Sequence, residues 1–296
     1  MTYLGTPRRR LVALAMLVTL AVLGAGLALA ASVRTPEAAT DPVGFAPGAI
    51  ISDYNFYNAD ALNEREIQTF LADRSCIPRD DSPCLADYEE NTISQPAQGE
   101  GHCAAYPGGR NESAARIIAK VSEACFISPK VLLVLLQKEQ SLLTRPSASG
   151  YLRATGYGCP DTADCDAAYF GFFNQVYRAA WQFRQYTQEP ERAYKVGSVR
   201  VGFNPDASCG ASAVTIENQA TANLYNYTPY QPNAAALARP GTEGDGCSTH
   251  GNLNFWRFYN QWFGSSEAVG YPTAFASCLN LVGGQPCREH GLLPTP

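Results

Sequence analysis

Residues that commonly bind metal ions are scarce in this sequence. It contains three histidines, at positions 102, 250 and 290, and their spacing matches no ligand motif. Cysteine is more frequent, with ten residues, but no Cys-x-x-Cys pair occurs. Because structural zinc sites use closely spaced Cys and His ligands, these two absences argue against a zinc site. No other motif implies a metal or a cofactor, so we expect none.

Basic clusters are also absent after residue 31. From there on, the chain holds 19 basic and 27 acidic side chains, which gives a net charge of −8. An acidic chain without a basic cluster does not suit a nucleic acid backbone. The composition therefore argues against nucleic acid as a partner, and also against simple electrostatic adhesion to an anionic cell wall. We expect a monomer.

The first 31 residues have the composition of an export signal. Arg8, Arg9 and Arg10 precede an apolar run over 11–31, and residues 28–30 (Ala-Leu-Ala) offer a small-x-small cleavage site. At about 21 residues, the run is also long enough to span a bilayer as an uncleaved anchor. Both alternatives place the rest of the chain outside the cytoplasm, either secreted or anchored in the membrane and facing the cell wall.

All ten cysteines follow this segment. Their even number and an oxidising compartment predict disulfides. Sequence alone leaves the connectivity open, and we predict pairing of nearest neighbours: 76–84, 103–125, 159–165, 209–247 and 278–287. A secreted cysteine peptidase that uses Cys103 or another cysteine with a histidine is a poor alternative, because it needs an unpaired thiolate in that compartment.

The exported part has roughly 265 residues, enough for one large domain with a small appendage. Residues 32–47 are rich in Ala, Pro and Thr, which predicts a flexible spacer. The main domain is then expected over 48–264. Residues 265–296 are rich in Gly and Pro and hold one cysteine pair, so we expect a disulfide-stapled tail or a fragment of a wall-associated module.

One predicted helix, residues 128–144 (SPKVLLVLLQKEQSLLT), places a carboxylate among leucines. Ser128 is a suitable N-cap, and Pro129 suits the first helical position. At 100° per residue, five leucines fall within about 60° of Glu139: Leu132, Leu135, Leu136, Leu142 and Leu143. Burial disfavours the charged form of a carboxylate, which is how a general acid stays protonated near neutral pH. The alternative is a structural glutamate that reaches solvent or pairs with Arg145 or Arg153.

Helical periodicity predicts further helices after the capping box at 63–66 and over 111–125, 169–186, 218–225 and 252–263. The helix over 111–125 is separated from residues 128–144 by a short turn, so the two should pack as a helical hairpin. Residues 50–57 begin the ordered part as an extended segment. A short strand is predicted over residues 213–216, and a polar connector over residues 187–212.

Aromatic and amide side chains provide candidate sugar-binding residues. Two glycines flank Tyr157 and indicate a tight turn or a close backbone approach. The segment 226–233 (NYTPYQPN) combines two prolines, two tyrosines and three amides, which predicts a rigid aromatic loop. We therefore predict five substrate-binding residues: Tyr157, Gln175, Tyr225, Tyr227 and Tyr230. The alternatives are a core stripe for the aromatic helix and a plain structural corner for the loop.

The order of these features resembles a group of exported proteins from high-GC Gram-positive bacteria, some of which carry a haemagglutinin-like label. It runs from the KEQS segment at 138–141, through the Gly-Tyr-Gly turn and GFFNQVYRAAWQF, to LYNYTPYQPN and FWRFYNQWFG. The group resembles the lysozyme-like superfamily of lytic transglycosylases and glucosaminidases. The resemblance covers roughly residues 45–264.

This resemblance implies a mainly α, α+β lysozyme-like domain with a small β-hairpin and a cleft for a peptidoglycan glycan strand. It places Glu139 at the position of the superfamily's catalytic glutamate and the hairpin near residues 151–166. It also places the tyrosine loop at 225–230 along the cleft. The Gly-Leu-Met-Gln-like segment that follows the glutamate in lytic transglycosylases does not occur in this sequence.

The expected activity is cleavage of the β-1,4 glycosidic bond of peptidoglycan, with Glu139 as general acid. A two-carboxylate hydrolase needs a second acid about 5–9 Å away, and we favour Asp161 over Asp164, Asp166 and Glu217. Without a second acid, the single-acid scheme of a lytic transglycosylase fits better. The alternative from another class is a non-catalytic, haemagglutinin-like surface protein that binds the cell wall with the same fold.

Overall fold

The computed structural model describes residues 44–160 and 163–269. The chain divides into two units, Met1–Ala39 and Thr40–Pro296, and all described residues belong to the second. The predicted export segment, Asp161 and the pair Cys278–Cys287 lie outside the described residues. Within the described ranges, no helix has both the length and the apolar composition needed to cross a membrane.

The domain is mainly helical, as predicted. The described residues form nine α-helices: α1 Asp53–Tyr57, α2 Glu64–Ala72, α3 Ala114–Cys125, α4 Pro129–Gln140, α5 Ala148–Leu152, α6 Phe172–Gln188, α7 Gln219–Tyr227, α8 Ala234–Ala238 and α9 Gly251–Phe263. They also form three 3-10 turns: Leu85–Asp87, Ala167–Tyr169 and Ala207–Cys209. The strands are β1 Glu89–Glu90, β2 Glu112–Ser113, β3 Gly197–Gly202 and β4 Ala211–Ile216, and they form two small antiparallel hairpins.

The larger hairpin lies elsewhere than the resemblance implied. It joins β3 to β4, with Gly197 opposite Ile216, so the predicted polar connector contains a strand. Residues 151–160 and 163–166 contain no strand. The φ angles of Gly156 and Gly158, +73° and +71°, place both in the left-handed region, which interrupts an extended backbone. The extended segment predicted over 50–57 is also wrong, because α1 occupies most of it.

Helix α4 lies at the centre of the core. Its residues from Val131 to Leu136 are all fully buried, and it packs against α3, as predicted, and against α9. Gln137 is also buried, and its Nε2 donates to Oγ1 of Thr144 at 2.9 Å. From Val131 to Gln137 the helix is therefore buried on all sides. It ends earlier than predicted, because Ser141 adopts a left-handed conformation with φ of 56°.

Six of the nine described α-helices have a local side-chain cap, and α4, α6 and α9 do not. Asn63 and Glu66 form the predicted capping box at the start of α2. Helix α6 instead begins at Gly171, which has no side chain to cap it. The carboxylate of Glu90, from the end of β1, accepts a hydrogen bond from the backbone N–H of Phe173 there. A distant strand thus supplies the cap that the local sequence lacks.

Four disulfides match the predicted pairs: Cys76–Cys84, Cys103–Cys125, Cys159–Cys165 and Cys209–Cys247. They support an oxidising, extracytoplasmic environment. Cys103 is fully buried and oxidised, so it has no free thiolate for the peptidase alternative.

Residues just before and just after the predicted domain pack against it. Phe45, in the predicted spacer, contacts the ring of Trp256 edge-on, with 5.9 Å between ring centroids. Ser266, in the predicted tail, is buried, and its carbonyl accepts from the backbone N–H of Ser52 at 2.9 Å and from Nδ2 of Asn55 at 2.7 Å. The packed domain therefore extends on both sides of residues 48–264.

Candidate active site

Glu139 lies in the last turn of α4 with its side chain 24% exposed. Its Oε1 accepts a hydrogen bond from the ammonium of Lys138, whose own side chain is only 4% exposed. The same ammonium donates to Oγ1 of Thr228 at 2.9 Å. The cation beside Glu139 is therefore its neighbour in sequence, and neither Arg145 nor Arg153 forms this pair.

The uncharged, leucine-lined setting predicted for Glu139 is thus wrong. That prediction placed Leu142 and Leu143 on the same helical stripe as Glu139. Because the helix ends at Ser141, the angular arithmetic does not extend to these two leucines, which turn into the core and are buried. The carboxylate is left at the edge of the core, beside an ammonium.

The predicted tight turn around Tyr157 lies against this carboxylate. A Cβ atom added to Gly156 would lie 3.5 Å from Oε2 of Glu139. Gly158 approaches its neighbour more closely, since a Cβ there would lie 2.6 Å from Cδ2 of Tyr169. The ring of Tyr157 meets that of Tyr169 edge-on, at 4.9 Å between centroids. The turn therefore joins the carboxylate to a pair of tyrosines.

Gln175 forms hydrogen bonds with the backbone of this turn. Its Oε1 accepts from the backbone N–H groups of Thr155 at 3.2 Å and Tyr157 at 3.1 Å. Its Nε2 donates to the carbonyls of Tyr157 and Tyr169, both at 2.8 Å. Gln175 is fully buried, so it presents no polar atom to a sugar. The structure places it as a support for the turn, and direct substrate contact does not fit this burial.

Tyr227 contacts the residue that precedes the Gly156 turn. Its hydroxyl donates to the carbonyl of Thr155 at 2.8 Å, and its ring packs on Phe183 with 4.9 Å between centroids. Burial raises the pKa of Tyr227 well above its ordinary value, and the negative charge of Glu139 raises it further. The hydroxyl is therefore a neutral donor at physiological pH.

The remaining two predicted tyrosines do not join this site. Tyr225 is fully buried, and its hydroxyl donates to the carbonyl of Pro47 at 2.9 Å, so it is a core residue and does not line a cleft. Tyr230 lies beside β3, where it forms an isolated parallel bridge with Gly202. The predicted loop is also shorter than expected, because α7 continues through Tyr227.

The candidate second acids are dispersed. Asp164, Asp166 and Glu217 are all exposed. Asp166 caps the 3-10 turn after it by accepting from the N–H of Ala168 at 2.9 Å. In the described part of the chain, no hydrogen bond or ion pair connects any of the three to Glu139. Asp161, the favoured candidate, lies outside the described residues.

Three residues that sequence reasoning missed complete the site: Lys138, Thr228 and Gly251. Gly251, the first residue of α9, approaches closely, since a Cβ there would lie 2.5 Å from Cγ2 of Thr228 and 3.6 Å from Nζ of Lys138. Only Lys138 carried a local signal, as the single cation beside Glu139 in the helix end. The contacts of Thr228 and Gly251 are long-range and leave no local pattern.

The site thus combines one part-exposed carboxylate, one buried ammonium and two tyrosines. It can bind a polar ligand through hydrogen bonds and transfer a proton. Among the described residues, no cluster of three or more His, Cys, Asp or Glu side chains could hold a metal ion. Comparisons with known protein families, curated proteins and solved structures find no significant match.

Proposed function

We propose that this protein cleaves the glycan strand of peptidoglycan outside the cytoplasm, with Glu139 as the general acid of a lysozyme-like fold. One observation carries the proposal. The Glu139 carboxylate is part-exposed at the end of a buried helix, with Oε2 against the Gly156 turn. A part-exposed carboxylate next to a rigid turn is suited to position a glycosidic oxygen for protonation.

The two carboxylate oxygens have different surroundings, which gives them different roles in this proposal. Oε1 accepts from Lys138, whereas Oε2 faces the backbone of Gly156. The step starts from the protonated form of Glu139, with the proton on Oε2, and this proton passes to the leaving oxygen. After the transfer, Lys138 stabilises the negative charge that remains on the carboxylate.

The absence of a second carboxylate from this site, within the described residues, favours a single-acid scheme. In that scheme Glu139 protonates the glycosidic oxygen, and the sugar's own groups complete the reaction, as in lytic transglycosylases. A two-carboxylate hydrolase would need Asp161 or another acid within about 5–9 Å of Glu139. Mass analysis of the products separates the schemes, because the first yields an anhydro-sugar and the second a reducing end.

The test is zymography on purified cell walls with the wild type, Glu139→Gln and Glu64→Gln. Glu64 is an exposed glutamate on α2 and serves as the matched control. We expect Glu139→Gln to lose about 100-fold or more of the clearing activity while it remains folded at the assay temperature, and Glu64→Gln to retain the activity. Clearing by all three forms, or by none, contradicts the catalytic role.

The ion pair with Lys138 favours one second candidate, a non-catalytic protein that binds wall glycan. A carboxylate paired with a buried ammonium is also what a structural glutamate requires. Sedimentation with insoluble walls, without release of soluble glycan by any form, would support this candidate.

A further inference from the structure

Arg178, on α6, places its guanidinium near two aromatic rings. Its Cζ lies 5.8 Å from the ring centroid of Tyr169 and 5.7 Å from that of Trp181. In the described part of the chain no carboxylate pairs with Arg178, and its buried Nε has no hydrogen-bond partner. A guanidinium that is partly desolvated and unpaired has donors available for a carboxylate.

This guanidinium lies one aromatic ring away from the Glu139 site. The ring of Tyr169 contacts both Arg178 and Tyr157, and Tyr157 belongs to the turn that lies against Glu139. The charge of Arg178 reaches this tyrosine. Burial raises the pKa of Tyr157, and the positive charge of Arg178 partly lowers it again. A ligand at Arg178 would therefore lie next to the site without contacting Glu139.

A second arginine, Arg192, shows a contrasting arrangement. Arg192 lies over the ring of Tyr186, at 5.2 Å from its centroid, but its Nη2 forms an ion pair with Glu189. The neighbouring Lys195 pairs with Glu191 in the same way. These charges cancel locally, so Arg192 has no net attraction to offer an anion. Arg178 differs from Arg192 in this respect, and not in its aromatic contact.

We propose that Arg178, Tyr169 and Trp181 form a subsite for a carboxylate carried by the glycan strand. The inference rests on the proposed function, because it assigns the acidic group of that substrate to a place beside Glu139. The guanidinium would bind the carboxylate in a bidentate manner, and the rings would pack against the attached sugar. The carboxylate belongs either to a lactyl ether on a strand without peptides or to a peptide stem.

The test is the affinity of the full chain, carrying Glu139→Gln to prevent turnover, for three soluble glycans. These are an oligosaccharide of peptidoglycan with its peptide stems, the same strand without peptides, and a neutral β-1,4-linked N-acetylglucosamine oligosaccharide. We expect Arg178→Gln to weaken binding of one or both acidic glycans by about tenfold or more and of the neutral one by less than about twofold. Whichever acidic glycan loses affinity identifies the source of the carboxylate.

Arg192→Gln is the matched control, because it removes an arginine with a similar aromatic contact, and it should leave all three affinities unchanged. Arg178→Lys should recover only part of the affinity, since an ammonium lacks the planar fork. Equal weakening of neutral and acidic glycans by Arg178→Gln, or no weakening at all, overturns the subsite. Wall clearing by the otherwise unaltered chain reports on the proposed function separately. If the protein clears walls but Arg178→Gln shows no selective loss of affinity for acidic glycans, the proposed function stands and the subsite is overturned.

Discussion

Lys138 and Glu139 are consecutive in sequence, yet the ammonium of the first forms an ion pair with the carboxylate of the second. Neighbouring side chains on a helix point about 100° apart and do not normally face each other. Here the long lysine side chain is enclosed, with Oγ1 of Thr228 at 2.9 Å as its second acceptor. Tertiary contacts therefore direct the ammonium towards its own neighbour, at the residue that we propose as the general acid.

Replacing Lys138 with Met tests this relationship through stability. The change leaves Glu139 without its cation and Thr228 without a donor, so the free energy of unfolding should fall by about 1–3 kcal/mol. Urea unfolding at pH 7 measures it. In the double variant Lys138→Met with Glu139→Gln no unpaired charge remains, so its loss should be smaller than the sum of the two single losses. Additive losses would mean that the two side chains do not interact.

The two glycines of the turn differ in a way that alanine substitution can separate. Gly156 and Gly158 have nearly equal positive φ angles, so each alanine carries a similar backbone cost of about 1–2 kcal/mol. At Gly156 the new Cβ meets Glu139 at an ordinary distance of 3.5 Å, whereas at Gly158 it meets Tyr169 at 2.6 Å. We expect Gly158→Ala to lower the melting temperature more and to change the near-UV circular dichroism. Equal effects from both substitutions would show that Tyr169 moves without cost.

Asp53 should make stability fall as the pH rises through weakly acidic values. Its carboxylate accepts from the N–H of Ala220 at 2.7 Å, near the start of α7, but burial raises its pKa from 3.8 to about 6. Between these values the folded state binds more protons than the unfolded state, so the free energy of unfolding decreases with increasing pH. Asp53→Asn keeps an acceptor and removes the buried charge. It should flatten the profile from about pH 4 to 6 and add about 1–2 kcal/mol at pH 7.

Chemical denaturation at several pH values checks this prediction. Asp81→Asn, at an exposed aspartate, is the control and should leave the profile unchanged. A variant at Asp53 that is less stable than the wild type at pH 7 would show that the cap on α7 outweighs the cost of burying the charge.

Asn223 should be among the most sensitive polar residues of the core. Its Nδ2 donates to the hydroxyls of Tyr57 at 2.9 Å and Thr187 at 2.8 Å, and its Oδ1 accepts from Nε2 of Gln219 at 2.8 Å. Asn223→Ala removes all three of these hydrogen bonds from a buried network, so the free energy of unfolding should fall by about 2–4 kcal/mol. Gln182→Ala, on the outward face of α6, should change it by less than about 0.5 kcal/mol. Similar losses in both variants, measured by urea unfolding, would contradict the role of the network.

Features that depend on short stretches of chain could be predicted from the sequence. The capping box at Asn63 and Glu66 was predicted from spacing alone, and four disulfides join cysteines that are nearest neighbours in sequence. The final helix, α9, begins within one residue of its predicted start. These features follow from backbone hydrogen bonding and from the short distance between paired residues.

The hairpin could not be located in the same way. A resemblance indicated that one exists, but its position depends on how β3 pairs with β4 after a loop, and β3 has no strong alternation of apolar residues. The left-handed glycines at 156 and 158 could equally have been the turn of a hairpin. The structure shows that the buried side chain of Gln175 forms the hydrogen bonds to the backbone of Tyr157, where a hairpin would have a partner strand.

By itself, the sequence determined the helical class, most helix starts, the oxidised cysteines and a glutamate at the end of a buried helix. The tertiary structure decided which groups meet that glutamate. Thr228 is 90 residues from Lys138, and Tyr227 is 72 residues from Thr155, so no local pattern encodes these contacts. It also decided that Gln175 supports the turn and that Tyr225 belongs to the core. The physical reason is that the environment of a charge or an amide depends on long-range packing, whereas caps and helical periods depend on neighbours along the chain.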